Sequence, residues 1–429
     1  MSKTNKNRTI YVYADWKGLN GPVLLGTLIS DVIRGKEVFS FIYDNQWLKS
    51  GKALFLDPDL QMFPGSQYLN DQRKSNFGIF LDSSPDRWGR LLMQRREAAL
   101  ARQKNQMPEK LFETDYLLGV FDGHRMGALR FKSDPSGPFL NNNKELASPP
   151  WTSIRELEQI SLRLEEDEIS DNPNYIHWLN MLIAPGTSLG GARPKASVID
   201  DSNQLWIAKF PSKSDISDTG GWEMVTYLLA IEAGISMSAS MGQKFSARHH
   251  TFLTKRFDRT EMGQRIHFAS AMTLLGYIDG QDHTDGVSYL ELAHFIQAHG
   301  SNVKRDLQQL WRRIVFSICI SNVDDHLRNH GFLLSDQGWE LSPAYDLNPV
   351  ETGSGLKLNI SEVDNSLDLN LALDVHEYFR LSYKEAKEIV SHIQAVVRSW
   401  PPKARALKIS KTDQELKQPA FRQAWEKLS

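Results

Sequence analysis

Between residues 9 and 48 the chain alternates short apolar runs with turns: TIYVYADW, GPVLLGTL and EVFSFIYD. Runs rich in Val, Ile, Tyr and Phe, bounded by turn residues, predict a small sheet. SSPDRWGRLLMQRREAALARQK then predicts a helix starting at Ser84, with Pro85 at the first helical position and Asp86 in the first turn. GALRF at 127–131 reads as another strand. FKSDPSGPFLNNNKELASPP (131–150) is rich in Pro, Ser, Asn and Gly, so the first domain boundary is expected there.

Past that stretch, Trp151 to Ile183 reads as largely helical. PGTSLGGARPKASVID follows, a glycine-rich loop feeding a β-type run. Asp201-Ser202-Asn203 makes a turn and QLWIAKF runs back, so 195–210 is expected to be a hairpin. In RDLQQLWRRIVFSICISN (305–322), Leu307, Leu310, Trp311, Ile314, Val315 and Ile318 recur at helical spacing. Ser382 and Glu385 form a capping-box signature before Ala386, Ile389, Val390, Ile393, Val396 and Val397. The second half is therefore expected to be mostly helical.

Composition narrows the classes. The chain has 429 residues, 41% hydrophobic and 24% charged, an ordinary globular balance. Its formal net charge of −2 supplies no global basic field for nucleic acid, although a local patch stays open. The one cysteine, Cys319, lies in an apolar run. It cannot form an internal disulfide, which fits a reducing compartment. The basic start MSKTNKNRT precedes an apolar run too short for a signal-peptide core. No apolar stretch approaches the ~20 residues that cross a bilayer. The chain reads as cytoplasmic, without a membrane partner. None of the twelve histidines has zinc-type spacing with cysteine.

The chemistry concentrates in SNVDDHLRNHGFLL (321–334). Asp324 and Asn329 stand five positions apart, the offset by which protein kinases place a proton-accepting Asp and a Mg²⁺-binding Asn. Asp346 follows in ELSPAYDLNPV, and Mg²⁺ takes one or two carboxylates plus phosphate and water. Lys209 lies near the end of QLWIAKF, where Ile207-Ala208-Lys209 loosely reproduces the V-A-I-K pattern of the phosphate-pairing lysine. Gly186-Thr187-Ser188-Leu189-Gly190-Gly191 offers backbone N–H groups to phosphates, with Arg193 and Lys195 adding positive charge. Each feature alone has a plainer reading: a turn, a cap before Pro349, a solvated lysine, a flexible loop. Their shared order favours an ATP-dependent phosphotransferase.

SLGGARPK (188–195), AKF (208–210), RFDR (256–259), DDHLRNHGF (324–332) and SPAYDLNP (342–349) resemble the HipA family of bacterial toxin serine/threonine kinases. GPVLLGTL, FSFIYDNQWL, SSPDRWGRLLM and LLGVFDGHRMGALRF extend the likeness to roughly residues 10–400. The resemblance implies an α+β, two-lobed protein-kinase-like fold. Residues 1–145 would form a mostly β N-terminal subdomain plus linker, 146–262 the nucleotide-binding lobe and 263–429 the helical lobe with the catalytic loop. It implies ATP and Mg²⁺, with Asp324 as base, Asn329 and Asp346 as metal ligands, and Lys209 on the phosphates. Phe257 would face adenine and Asp258 the ribose. Gly190, Gly191 and Lys195 would line the nucleotide, and His326 would orient the loop or be a plain loop histidine. Ser188, with Thr187 as alternative, would be autophosphorylated. Asp325 stands where glycine is common in the family; its charge either raises the pKa of Asp324 or points to solvent.

The family's partners are a protein substrate, aminoacyl-tRNA synthetases among those of relatives, and a small helix-turn-helix antitoxin that would bring DNA only indirectly. Two other functions share the residues: a small-molecule or lipid kinase, and a catalytically weak pseudokinase acting in an antitoxin–DNA complex.

Overall fold

The computed structural model describes residues 7–50, 54–166, 170–183, 193–245 and 248–428. It divides into two compact units, each taken by itself. The first comprises 1–208, 258–269 and 276–278, and the second 209–257, 270–275 and 279–429. Residues 146–208 thus cluster with the N-terminal part, where three consecutive segments were expected.

In the first unit, β1 (Arg8–Ala14), β2 (Val23–Ile33), β3 (Lys36–Tyr43), β4 (Ser66–Tyr68) and, later in the chain, β5 (Leu129–Lys132) form an antiparallel sheet of order β4-β3-β2-β1-β5. The period of two puts Ile10, Val12 and Ala14 on the buried face with Phe39, Phe41 and Tyr43. Phe77 and Phe80 close over Phe41, and Phe131 packs on Phe80. Gly26 is required where strands meet: a Cβ there would lie 2.3 Å from the Ile42 carbonyl oxygen.

Helix α1 (Arg87–Gln103) starts later than expected, because Asp86 is its N-cap and accepts from the Gly89 N–H at 2.9 Å. The other oxygen of Asp86 pairs with Lys195 at 2.8 Å, both side chains buried. The stretch 131–150 is not a free linker. Leu140 N–H donates to Phe131 and Asn141 N–H to Val120, and buried Arg125 donates to the Leu140 carbonyl. Helices α2 (Ile154–Leu164) and α3 (Tyr175–Ile183) follow, then the hairpin of β6 (Lys195–Ile199) and β7 (Leu205–Lys209).

The second unit contains α4 (Thr219–Glu232), the antiparallel pair β8 (Ser240–Gln243) and β9 (Thr251–Lys255), α5 (Tyr289–His299) and α6 (Val303–Cys319). The hairpin of β10 (Gly331–Ser335) and β11 (Gly338–Leu341) precedes α7 (Tyr383–Val397), α8 (Trp400–Ala406) and α9 (Lys411–Lys417). The apolar stripe of α6 is fully buried as its periodicity predicts, and α6 packs on α7. Ser382 and Glu385 close the capping box at the start of α7. Trp400 stacks on Phe421 at 4.8 Å, beside Trp222 of α4. Cys319 is buried, and burial pushes its thiol pKa up. Among the described residues no helix is long and apolar enough to cross a membrane.

His267, in the first unit, stacks on Trp16 at 5.3 Å, and burial lowers its pKa from 6.5 to about 3. It is therefore neutral in the folded chain where an unfolded histidine would be charged. The protonated unfolded state gains on the native one as pH falls below 6.5 toward 3. Relative to His267→Phe, the native protein should lose about 2 kcal/mol of stability by pH 5. Urea unfolding of both chains between pH 7 and pH 5 measures this; a pH-independent difference would refute it.

Candidate active site

Lys209 closes β7, and its ammonium lies 2.5 Å from Glu223 Oε1 on α4 and 2.8 Å from Asp346 Oδ1. Burial works against the charge, but the two carboxylates outweigh it and hold the lysine pKa above its ordinary range. The ring of Phe252 on β9 lies 5.8 Å from the ammonium. Glu223 reaches Lys209 because α4 is pinned at its start. Asp218 caps it through the Gly221 N–H, and also accepts from the His250 N–H at 2.7 Å. Gly220 allows that approach, since a Cβ there would sit 2.1 Å from the His250 carbonyl oxygen. Sequence reasoning missed Glu223; the available signal was a lone acid inside the apolar pattern WEMVTYLLA, shortly after the strand lysine.

Helix α6 ends in a Schellman turn. Ser321 takes φ +49°, its N–H donates to Ile318, and Asn322 N–H donates to Ser317 at 2.8 Å. The loop beyond is tied to itself. His326 N–H donates to the Asp324 carbonyl at 2.9 Å, Asn329 N–H to the His326 carbonyl at 2.8 Å, and the Asn329 side-chain amide to the Asp324 carbonyl at 3.0 Å. The Asp324 carboxylate is exposed, while Asn329 is buried.

Asp325 does not point to solvent, one of the two outcomes expected of it. It is buried, accepts from the Tyr289 hydroxyl at 2.6 Å, and lies 3.1 Å from His330 Nε2. Burial opposes its charge, but His330 and Tyr289 hold its pKa below the ordinary value.

Asp346 sits at φ +59°, a conformation that costs an aspartate on the order of 1 kcal/mol and that gathers at functional sites. Neighbours fix it. Thr226 of α4 donates to the Leu347 carbonyl at 2.6 Å, and Asn348 donates to Asp346 Oδ1 at 3.1 Å. The Tyr345 hydroxyl donates to the Arg328 carbonyl at 2.7 Å, joining this segment to the Asp324 loop. From α9, Lys417 reaches the Pro349 carbonyl at 3.2 Å and Glu351 at 2.6 Å, and Asp413 accepts from the Asp218 N–H.

The side-chain oxygens of Asn329 and Asn348 are buried without a hydrogen-bond partner among the described residues. Buried polar atoms are normally satisfied, so an ordered water or an ion would complete the bonding of these oxygens. Hard oxygen donors beside one carboxylate are the set that Mg²⁺ takes, leaving its other positions to phosphate and water. The residues present fit that ion.

The structure thus gathers Lys209, Asp346, Glu223 and Asn348, and ties the Asp324–Asn329 loop to them through Tyr345. Phe257 is half-buried, its ring 5.6 Å from that of Tyr345. His326 is half-buried within the loop. Two further expected residues lie in the first unit. Asp258 lies in the first unit, fully buried, where its carboxylate accepts from Gly127 and Arg259; it presents no surface to a ribose. Lys195 lies there too, its ammonium 2.8 Å from Asp86 Oδ2. Thr187, Ser188, Gly190 and Gly191 fall outside the described residues.

Residues 187–400 match the HipA-like C-terminal domain family. A stretch of 183 residues is 27% identical to a protein of Haemophilus influenzae named "Putative kinase"; the match takes in 38% of this chain and 53% of that relative, so the chain spans about half its length. The fold is similar to that of HipA from the Shewanella oneidensis MR-1 toxin–antitoxin system, solved with HipB and its operator DNA. The TM-score is 0.65 at 17% identity, over 97% of this chain and 95% of that one. The likeness shows a kinase-like fold, and residues 187–400 of the chain carry a HipA-like C-terminal domain.

Proposed function

We propose that the chain is an ATP- and Mg²⁺-dependent protein kinase that transfers the γ-phosphate to a serine or threonine hydroxyl. One observation carries the reading: Lys209 is held between Asp346 and Glu223, with Asn348 bonded to the same Asp346 oxygen. Protein kinases use this lysine–glutamate pair and a metal-binding aspartate to place the triphosphate. Lys209 contacts the phosphates and is aimed by Glu223. Phe257 offers an aromatic face to adenine. Mg²⁺, held by Asn329 and Asp346, would supply charge that offsets the phosphate oxygens. The exposed carboxylate of Asp324 takes the proton of the substrate hydroxyl. That oxygen then forms its bond to the γ-phosphorus as the bond to the ADP oxygen breaks.

The substrate we propose is a bacterial protein, an aminoacyl-tRNA synthetase or another translation component. Ser188, or Thr187, is the proposed site of autophosphorylation. The assembly of the Shewanella HipA with HipB and DNA supports a small helix-turn-helix antitoxin as partner here, with DNA held through it.

Asp324→Asn should lower transfer of labelled γ-phosphate by about 10²–10⁴-fold. Because this side chain is exposed, stability should shift by no more than about 0.5 kcal/mol. Undiminished label in that variant would remove Asp324 from the mechanism, and label found only on a metabolite or lipid would reassign the substrate class. Glu223→Gln should raise the KM for ATP by roughly tenfold, since the lysine loses one of its two carboxylate partners. Steady-state kinetics in ATP test this, and an unchanged KM would deny Glu223 the aiming role.

A further inference from the structure

The kinase reading does not use one buried cluster beside the loop. Asp325 is 2% exposed and Tyr289 of α5 is fully buried. The Tyr289 hydroxyl donates to one Asp325 oxygen at 2.6 Å, and His330 Nε2 lies 3.1 Å from the other. The His330 ring stands edge-on to the Tyr289 ring at 5.6 Å, and the His330 carbonyl accepts from the Ala271 N–H at 2.8 Å. Arg313, buried on α6, is close enough for its charge to interact with Asp325. One carboxylate therefore fastens both ends of the segment 325–330 to the helical body.

We propose that Asp325 is a positioning residue for phosphoryl transfer: drawn into the core between Tyr289 and His330, it fixes the backbone on which Asp324 and Asn329 stand. This rests on the kinase reading above. Asp324 precedes Asp325 directly and faces solvent while Asp325 faces the core. Asn329 precedes His330 directly, and its side chain bonds the Asp324 carbonyl. Anchoring 325 and 330 thus sets the residues at 324 and 329 without touching substrate. A buried carboxylate bonded by the Tyr289 hydroxyl and facing the His330 ring at 3.1 Å has few alternative positions, which is what a transfer tolerant of only small misplacement demands.

The tests are Asp325→Asn, which keeps the shape but not the charge, and Tyr289→Phe, which removes one bond and leaves the ring. Asp325→Asn should lower kcat about tenfold or more, with the KM for ATP changed by less than about twofold. Tyr289→Phe should shift kcat in the same direction by less. Hydrogen exchange at the amides of His326 and Asn329 should quicken in both variants. A structural role alone would lower Tm and leave kcat of the folded fraction intact, and that outcome overturns the proposal. So does unchanged exchange. If the wild-type chain transfers no phosphate, the kinase reading fails, while the exchange measurement still decides whether Asp325 orders the loop.

Discussion

A single ammonium between two carboxylates sets the terms for the second unit. Lys209 meets Glu223 from a helix and Asp346 from a distant loop, in a setting where burial disfavours every charge. Breaking such an arrangement by removing one member leaves an uncompensated charge, which is far more damaging than never having built it. With the lysine gone, two acids would face each other without a cation between them. The helix start at Asp218, the close approach at Gly220 and the strained backbone of Asp346 all serve to deliver partners to this point.

The loops that present the remaining groups are fixed by backbone acceptors rather than by their own rigidity. Tyr345 grips the Arg328 carbonyl and Thr226 grips that of Leu347, so each segment is held by a side chain rooted in another. Ser321 in a left-handed conformation ends the helix early enough for Asp324 to leave the core while Asp325 stays in it.

What local rules govern was legible in the residues. The alternation in β1–β3, the buried stripe of α6 and the capping box at Ser382 need only near neighbours, and all three stand as expected. What depends on distant partners was not. Asp86 reads as a first-turn acid until Lys195 shows it to be a cap with a second task. The Pro- and Asn-rich stretch reads as a linker until Arg125 and Val120 claim its backbone. Of the expected site, the lysine, the aspartates and Asn329 came from motif order. The burial of Asp258 and Lys195 was not legible because charge and spacing say nothing about it, and Glu223 was passed over because its partner lies fourteen positions away.

The clasp from α9 bears on how the protein comes into being. Every residue proposed to act on ATP is synthesised by position 346, yet Pro349 and Glu351 are secured by Lys417, and the start of α4 by Asp413. A nascent chain that has emerged as far as residue 400 holds all the reactive groups without the brace behind them. The contacts that α9 makes with Pro349, Glu351 and Asp218 therefore form only once the chain has been made past residue 417.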